Sequence, residues 1–507
     1  MLARVYSHGL SGIAGFPVLV EADLATGLPA YETVGLPDAA VRESRERIRS
    51  AIKNSGFDFP VSRITINLAP AGMRKEGAVY DLPIAAALLI ASGQLPPAAA
   101  ADCVILGELA LDGAVRPISG VLPMVIDARS HGMKRFLIPA ANVEEAAYLT
   151  DVEIYPVETL AALVAHLRDE APIPAAGKRN WDPAKLRYSA DFSEIRGQQG
   201  AKRAAEIAVA GGHNLLMIGT PGSGKTMLAR SIPSILPELT LTESLEITKI
   251  HSVAGATCDG GIVRERPFRA PHHGASAAAL IGGGQKALPG EISMAHLGVL
   301  FLDELPEFRR DVLEALRQPL EDGVVTVSRA AATMQYPADF MLVAAMNPCP
   351  CGNYGSASQA CICSAVQVQR YRAKISGPLV DRIDIHVEMP EVGYSELTQR
   401  SCGECSAVIR RRVNAARQRQ RERFSGQGIF CNAQMDSAQT RRFCAPDSVS
   451  EKLLRQAYTQ LRLSARAYQR ILKVARTIAD VEGSETILPE HYAEAIQYRS
   501  LDMSGQE

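Results

Sequence analysis

Leu215-Leu216-Met217-Ile218-Gly219-Thr220-Pro221-Gly222-Ser223-Gly224-Lys225-Thr226 is the stretch on which the reading of this chain turns. A short apolar strand runs into the pattern G-x-x-x-x-G-K-[ST], and a helix is expected after it. Glycines in such a loop let backbone N–H groups turn inward around phosphate oxygens. The N-terminus of the following helix adds partial positive charge. In this pattern Lys225 reaches the β- and γ-phosphates of a nucleoside triphosphate, and Thr226 ligates Mg²⁺. A glycine-rich turn with a chance lysine is the bland alternative. The strand before the loop and the helix after it argue against that alternative.

Further along, Val299-Leu300-Phe301-Leu302-Asp303-Glu304 is a buried-strand pattern ending in two acids. Beside a phosphate loop this spacing predicts that Asp303 holds Mg²⁺ and that Glu304 polarises the attacking water. Taken alone, it would also fit any strand that ends in an acidic turn. A third apolar strand, from Phe340 to Ala345, ends at Met346-Asn347, and a polar side chain at that tip could orient the same water. Arg382, in Gly377-Pro378-Leu379-Val380-Asp381-Arg382-Ile383-Asp384, precedes another apolar strand. It suits a finger onto the γ-phosphate of a neighbouring subunit; an ion pair with Asp381 or Asp384 is the bland alternative.

The 507 residues are 47% hydrophobic, 21% charged and 5% aromatic, with a formal net charge of −1. That composition is globular. It excludes a uniformly basic nucleic-acid binder, so any such contact must be local. No apolar run reaches bilayer length, and the first residues lack an apolar secretory h-region, so no membrane partner and a cytoplasmic address are expected. Residues 1–168 read as one α/β unit, with strands at Val18–Ala22 and Ile64–Leu68 and an amphipathic helix from Ala40 to Asn54. Residues 169–188 are Pro-rich and polar, as in a linker. In 189–395 strands alternate with helices, which predicts a parallel sheet. Residues 396–507 are mostly helical.

Ten cysteines in a chain of this size do not suggest a disulfide framework. Cys349-x-Cys351 and Cys361-x-Cys363 form two close pairs, which suits a tetrahedral Zn²⁺ site; four reduced cysteines packed in a loop are the alternative. Cys402 and Cys405 make a further C-x₂-C without a partner pair nearby. Arg410, Arg411, Arg412, Arg417, Arg419, Arg421 and Arg423 crowd one predicted helix. They read either as a phosphate-binding face or as a solvated one.

Several stretches resemble the Mg-chelatase-like AAA+ family, and within it the ComM/YifB group. They include Phe268-Arg269-Ala270-Pro271-His272-His273, Pro289-Gly290-Glu291-Ile292-Ser293, Leu316-Arg317-Gln318-Pro319-Leu320-Glu321-Asp322-Gly323 and Ala344-Ala345-Met346-Asn347-Pro348-Cys349-Pro350-Cys351-Gly352. Val34-Gly35-Leu36-Pro37-Asp38 and Asn67-Leu68-Ala69-Pro70 extend the likeness into the N-terminal unit. The resemblance implies a P-loop AAA+ core with a parallel sheet and a helical C-terminal lid, preceded by an α+β domain similar to Lon protease and the ribosomal S5 fold. It implies ATP and Mg²⁺ as ligands, a homo-hexameric ring, and DNA, single-stranded or branched, as partner. It implies an insertion at about 268–292, holding Lys286, and a hairpin at about 323–336, holding Arg329. Both residues are DNA-binding candidates, and Arg329 could alternatively brace its hairpin against Glu321 or Asp322. Arg466 matches the sensor-2 position, with Arg470 one turn later as the alternative.

A Lon-type site needs a serine activated by a lysine. Here Val79 stands where the serine is expected, and Leu122 where the lysine is. The N-terminal domain is therefore expected to be non-catalytic. The leading expectation is a DNA helicase or branch-migration motor serving natural transformation and recombination. A porphyrin metal-chelatase ATPase subunit, a protein unfoldase and an assembly scaffold remain as alternatives.

Overall fold

Side chains alternate along the first strands with the period of two that a half-buried sheet requires. In strand Arg63–Ala69, Ile64, Ile66 and Leu68 are buried and the residues between them are not. The computed structural model describes residues 1–499 apart from 183–187, 189, 257–260, 285–286, 330–331, 357, 395, 397–402 and 462. Its chain packs as two units, Met1–Pro183 with Thr240–Arg264, and Ala184–Leu239 with Glu265–Glu507.

The first unit is built on a seven-stranded sheet. Its strand order is Ala30–Val34, Arg63–Ala69, Ala14–Ala25, Leu2–Ser11, Cys103–Ile105, Arg135–Pro139, Glu153–Val157. The three strands Arg63–Ala69, Ala14–Ala25 and Leu2–Ser11 run antiparallel, and the remaining pairings are parallel. Helix Ala39–Asn54 begins at Asp38, whose carboxylate accepts from the Val41 N–H at 2.8 Å. Helix Asp81–Ala91 is apolar on every side after Asp81 and is buried on every side. This is the α+β layout expected of the N-terminal residues.

Helix Leu241–Val253 also belongs to this unit, although it falls within residues 189–395, the span expected to form the parallel-sheet core. Leu245 packs on the N-terminal core. Ser252 Oγ donates to Glu145 at 2.7 Å, and Gly120 N–H donates to the Ser252 carbonyl at 3.1 Å. A helical pattern states that one face will be covered; it does not state by which core.

The second unit surrounds a five-stranded parallel sheet in the order Phe268–Arg269, Val299–Leu302, Met341–Met346, Leu215–Gly219, Ile385–Met389. Strands Leu215–Gly219, Val299–Leu302 and Met341–Met346 are buried throughout, as continuous apolar runs in a doubly covered sheet should be. The first of these in the chain, Leu215–Gly219, lies between the last two. The order of winding therefore reverses at it, and such a switch point opens a crevice beyond the strands' C-terminal ends.

Helices Ser406–Arg423, Ser448–Gln460, Ala465–Glu482 and Pro489–Gln497 are one-sidedly apolar. Ile409, Val413, Leu454 and Ile471 join Ile207, Leu215 and Val343 in a single core. The arginines of Ser406–Arg423 are largely taken up inside this unit. Arg412 Nε lies 2.5 Å from Glu206, Arg417 donates to the Val209 carbonyl at 3.0 Å, and Arg419 to the Asp480 carbonyl at 2.7 Å. Arg423 binds the buried Asp480 carboxylate at 2.8 Å, and Arg410 lies 5.3 Å over the Tyr188 ring. Among the described residues no helix is long and apolar enough to cross a membrane.

Candidate nucleotide site

Strand Leu215–Gly219 ends in the phosphate-loop sequence, and helix Lys225–Ser231 starts on its lysine. Gly219 has no room for a side chain: a Cβ there would lie 2.5 Å from the Met389 carbonyl oxygen and 2.6 Å from Ser223 Oγ. Gly222 and Gly224 take φ of 80° and 92°, which turns the loop back over the helix N-terminus. Pro221 is exposed at the loop's crest. Thr220 Oγ1 and Ser223 Oγ are buried and find no hydrogen-bond partner among the described residues. A loop with polar groups turned inward and unmatched fits an anionic ligand.

Lys225 is buried, and its ammonium donates to the carbonyls of Gly219 at 2.7 Å and Thr220 at 2.9 Å. It also donates to Asn347 Oδ1 at 3.2 Å, which joins the tip of strand Met341–Met346 to the loop. Burial lowers the Lys225 pKa, while the nearby charges of Asp303 and Glu304 act to raise it. Neutral carbonyl and amide oxygens are partners that phosphate oxygens can replace with stronger charge-assisted bonds.

The adjacent strand, Val299–Leu302, delivers the two acids. Thr226 Oγ1 donates to Asp303 Oδ2 at 2.8 Å, so two hard oxygen donors meet at one point, as a Mg²⁺ site requires. Asp303 Oδ1 accepts from the Glu304 N–H at 2.9 Å. Glu304 itself has φ of 54°, a left-handed conformation rare for a residue with a side chain. Its carboxylate Oε2 lies 3.2 Å from His273 Nδ1.

His273 was quoted in the sequence only as part of a motif; its contact with Glu304 emerges from the fold. Gln198 was not visible at all. It also adopts φ of 54°, and its amide donates to the Ser223 carbonyl at 3.2 Å and the Pro390 carbonyl at 2.6 Å. It thereby ties the phosphate loop to the segment after the last strand. No periodicity or spacing announces such a brace.

The two candidate arginines meet around one acid. Arg382 is buried, donates to the Pro378 carbonyl at 2.6 Å, and forms an ion pair with Glu321. Arg466, with a side chain 62% exposed, lies 3.9 Å from the same carboxylate. Arg470 is already engaged by Asp384 at 2.9 Å. Burial acts to raise the Asp384 pKa, but Arg470 and His213 overcome it and hold the carboxyl well below its ordinary value.

Two hairpins accompany this centre in the same unit. One pairs Gly282–Gly283 with Leu288–Pro289, and the other pairs Val324–Arg329 with Ala332–Pro337. The Tyr336 hydroxyl donates to the Ala287 carbonyl at 2.6 Å and joins them. Arg329 is the last strand residue before the second hairpin's tip; its side chain lies outside the described structure, as does Lys286.

The chain matches the family described as magnesium chelatase, subunit ChlI, over residues 191–397. The related subunit ChlI and ChlI C-terminal descriptions match residues 20–142 and 403–499. It is 44% identical to YifB of Escherichia coli over 99% of this chain and 97% of that protein. It is 43% identical to the competence protein ComM of Haemophilus influenzae over 99% of this chain and 98% of that one. The chain belongs to the YifB/ComM family, whose domains are of the magnesium-chelatase type. A partial likeness, 24% identity over 34% of this chain, links it to the Lon protease of Rhizobium meliloti. In the N-terminal unit Val79 and Leu122 are both packed into the apolar core. Lys75 is buried and donates to the Pro70 carbonyl, and burial lowers its pKa.

Proposed function

We propose that this protein is a cytoplasmic, ATP-hydrolysing DNA motor, assembled as a homo-hexameric ring and acting as a helicase or branch-migration translocase in transformation and recombination. The observation that carries this reading is the meeting of Lys225 with Asn347 and of Thr226 with Asp303 in the same unit as two joined hairpins, the second leading directly into the strand that ends at Asn347. The relative named competence protein supports the biological setting.

In this reading Lys225 exchanges its carbonyl partners for the β- and γ-phosphate oxygens of ATP. Thr226 and Asp303 hold Mg²⁺, whose charge offsets that of the transferred phosphoryl group. Glu304 leaves His273 to polarise the attacking water, and Asn347 orients that water. Arg382 leaves Glu321 for the γ-phosphate on the neighbouring subunit, and Arg466 serves as the sensor-2 arginine. The four-cysteine cluster holds Zn²⁺. Arg329 and Lys286, repeated around the ring, contact the phosphates of single-stranded or branched DNA.

The test compares Arg329→Ala with the parent chain on forked DNA over a range of salt. The variant loses unwinding and DNA-stimulated turnover, and its DNA affinity responds less to salt. Unwinding at the parent rate would remove this hairpin as the gripping element. Turnover stimulated by unfolded protein and not by DNA would replace the DNA motor with an unfoldase.

A further inference from the structure

The strand that ends at Asn347 runs, two residues later, into Cys349. Cys349, Cys351, Cys361 and Cys363 bring their sulfurs together within 4.8 Å of one another. The closest separations are 3.3 Å for Cys349 to Cys351, and 3.6 Å from each of these to Cys361. Disulfides would need sulfurs at about 2.05 Å. Four thiolates on one Zn²⁺, with bonds of about 2.3 Å at tetrahedral angles, have an edge of about 3.8 Å. The cluster has the size of the second arrangement.

Its surroundings are also those of a metal knuckle. The Tyr354 N–H donates to Cys349 Sγ at 3.3 Å. A backbone N–H on a sulfur is the outer-shell contact that orients a thiolate ligand and spreads its charge.

The cluster abuts the nucleotide site at one further point. Gly352, in the turn after Cys351, has φ of 87° and sits so close to the phosphate loop that a Cβ would lie 2.7 Å from Pro221 Cδ. Helix Ala365–Arg372 starts two residues after Cys363 and is capped by Ser364. The loop between the cysteine pairs lies at the surface: Ile362 and Tyr354 are exposed, only Cys349 among the four ligands is buried, and its other anchors are polar, such as Asn353 with Gln359 and Ser356 with Glu391.

We infer that Zn²⁺ bound by Cys349, Cys351, Cys361 and Cys363 makes this loop a rigid abutment that holds the phosphate loop at Pro221 and Asn347 against Lys225, so that nucleotide affinity depends on metal occupancy. The second half of this inference rests on reading residues 219–226 as the ATP site; the metal site itself does not. Binding converts four thiols to thiolates with release of their protons, and no electron is exchanged.

The experiment uses the full chain. Elemental analysis finds one Zn²⁺ per chain in the parent, and a lower content in Cys361→Ser and Cys363→Ser. Binding of a fluorescent ATP analogue weakens at least fivefold in those variants while their circular dichroism stays that of the parent. If the variants do not fold, the parent loaded with Co²⁺ answers the question instead. It shows the visible bands of tetrahedral thiolate coordination, and those bands shift when a non-hydrolysable ATP analogue binds. Folded parent protein without metal overturns the whole inference. Metal loss with unchanged nucleotide affinity, or Co²⁺ bands indifferent to nucleotide, overturns the abutment and leaves the metal site standing. A fully metallated parent that binds no ATP locates the failure in the nucleotide-site reading.

Discussion

Glu304 is the residue on which turnover depends in the proposed mechanism, and its geometry explains why a strained backbone is tolerated there. A φ of 54° lets its N–H bond the Asp303 carboxylate while its own carboxylate reaches His273. Glu304→Gln keeps the side chain's size and leaves Asp303 and Thr226 in place, but removes the charge that polarises water. ATP affinity stays near the parent value, and turnover falls by about 10²–10⁴-fold; equilibrium binding and steady-state hydrolysis measure the two. Turnover at the parent rate would mean that another group activates the water. The phosphate-loop residues and Asp303 could be read from the sequence because their chemistry is contiguous. Gln198 and His273 could not, since each acts on a partner 25 or more residues away.

At the scale of elements, the two hairpins are the feature that separates this unit from a bare nucleotide-binding sheet. The alternation in Val324–Arg329 after the Asp322-Gly323 turn signal made the second hairpin legible. Its connection to the first was not, because Tyr336 and Ala287 lie 49 positions apart and meet only in the fold. Tyr336 is buried, and burial pushes its hydroxyl up to about 12, so it remains a donor over the physiological range. Tyr336→Phe leaves the Ala287 carbonyl without that donor and costs about 1 kcal/mol of stability. The hairpins then move independently, and DNA stimulation of the ATPase drops severalfold. Denaturant unfolding and DNA-titrated hydrolysis check the two effects; full DNA stimulation in a destabilised variant would show the bond to be structural alone.

For the molecule as a whole, the Arg382–Glu321–Arg466 cluster is where assembly should register. Within one chain these arginines share an acid; in a ring Arg382 would serve the neighbour's nucleotide. Arg382→Ala subunits and Glu304→Gln subunits, each inactive alone, regain part of the parent ATPase when mixed, because some interfaces then combine an intact arginine with an intact glutamate. Mixtures that stay at the level of the separate variants would place Arg382 in the architecture of its own chain, where its buried contacts with Pro378 and Glu321 already give it a role.

The sequence by itself determined what is local along the chain: the phosphate loop, the acidic strand end, the strand leading to Asn347, the paired cysteines and the apolar periods that specify an α+β unit and a parallel sheet. Each depends on neighbouring residues, and backbone chemistry at close range leaves few alternatives. Only the tertiary structure decided which groups from distant segments share a space. It assigned helix Leu241–Val253 to the N-terminal unit and gave the arginines of Ser406–Arg423 carboxylate, carbonyl and ring partners in place of phosphate. It also set Gly352 against Pro221. An amphipathic helix or a run of arginines states only that a partner is needed. Which partner it meets depends on the packing of the whole unit, and that depends on sequence far from the helix itself.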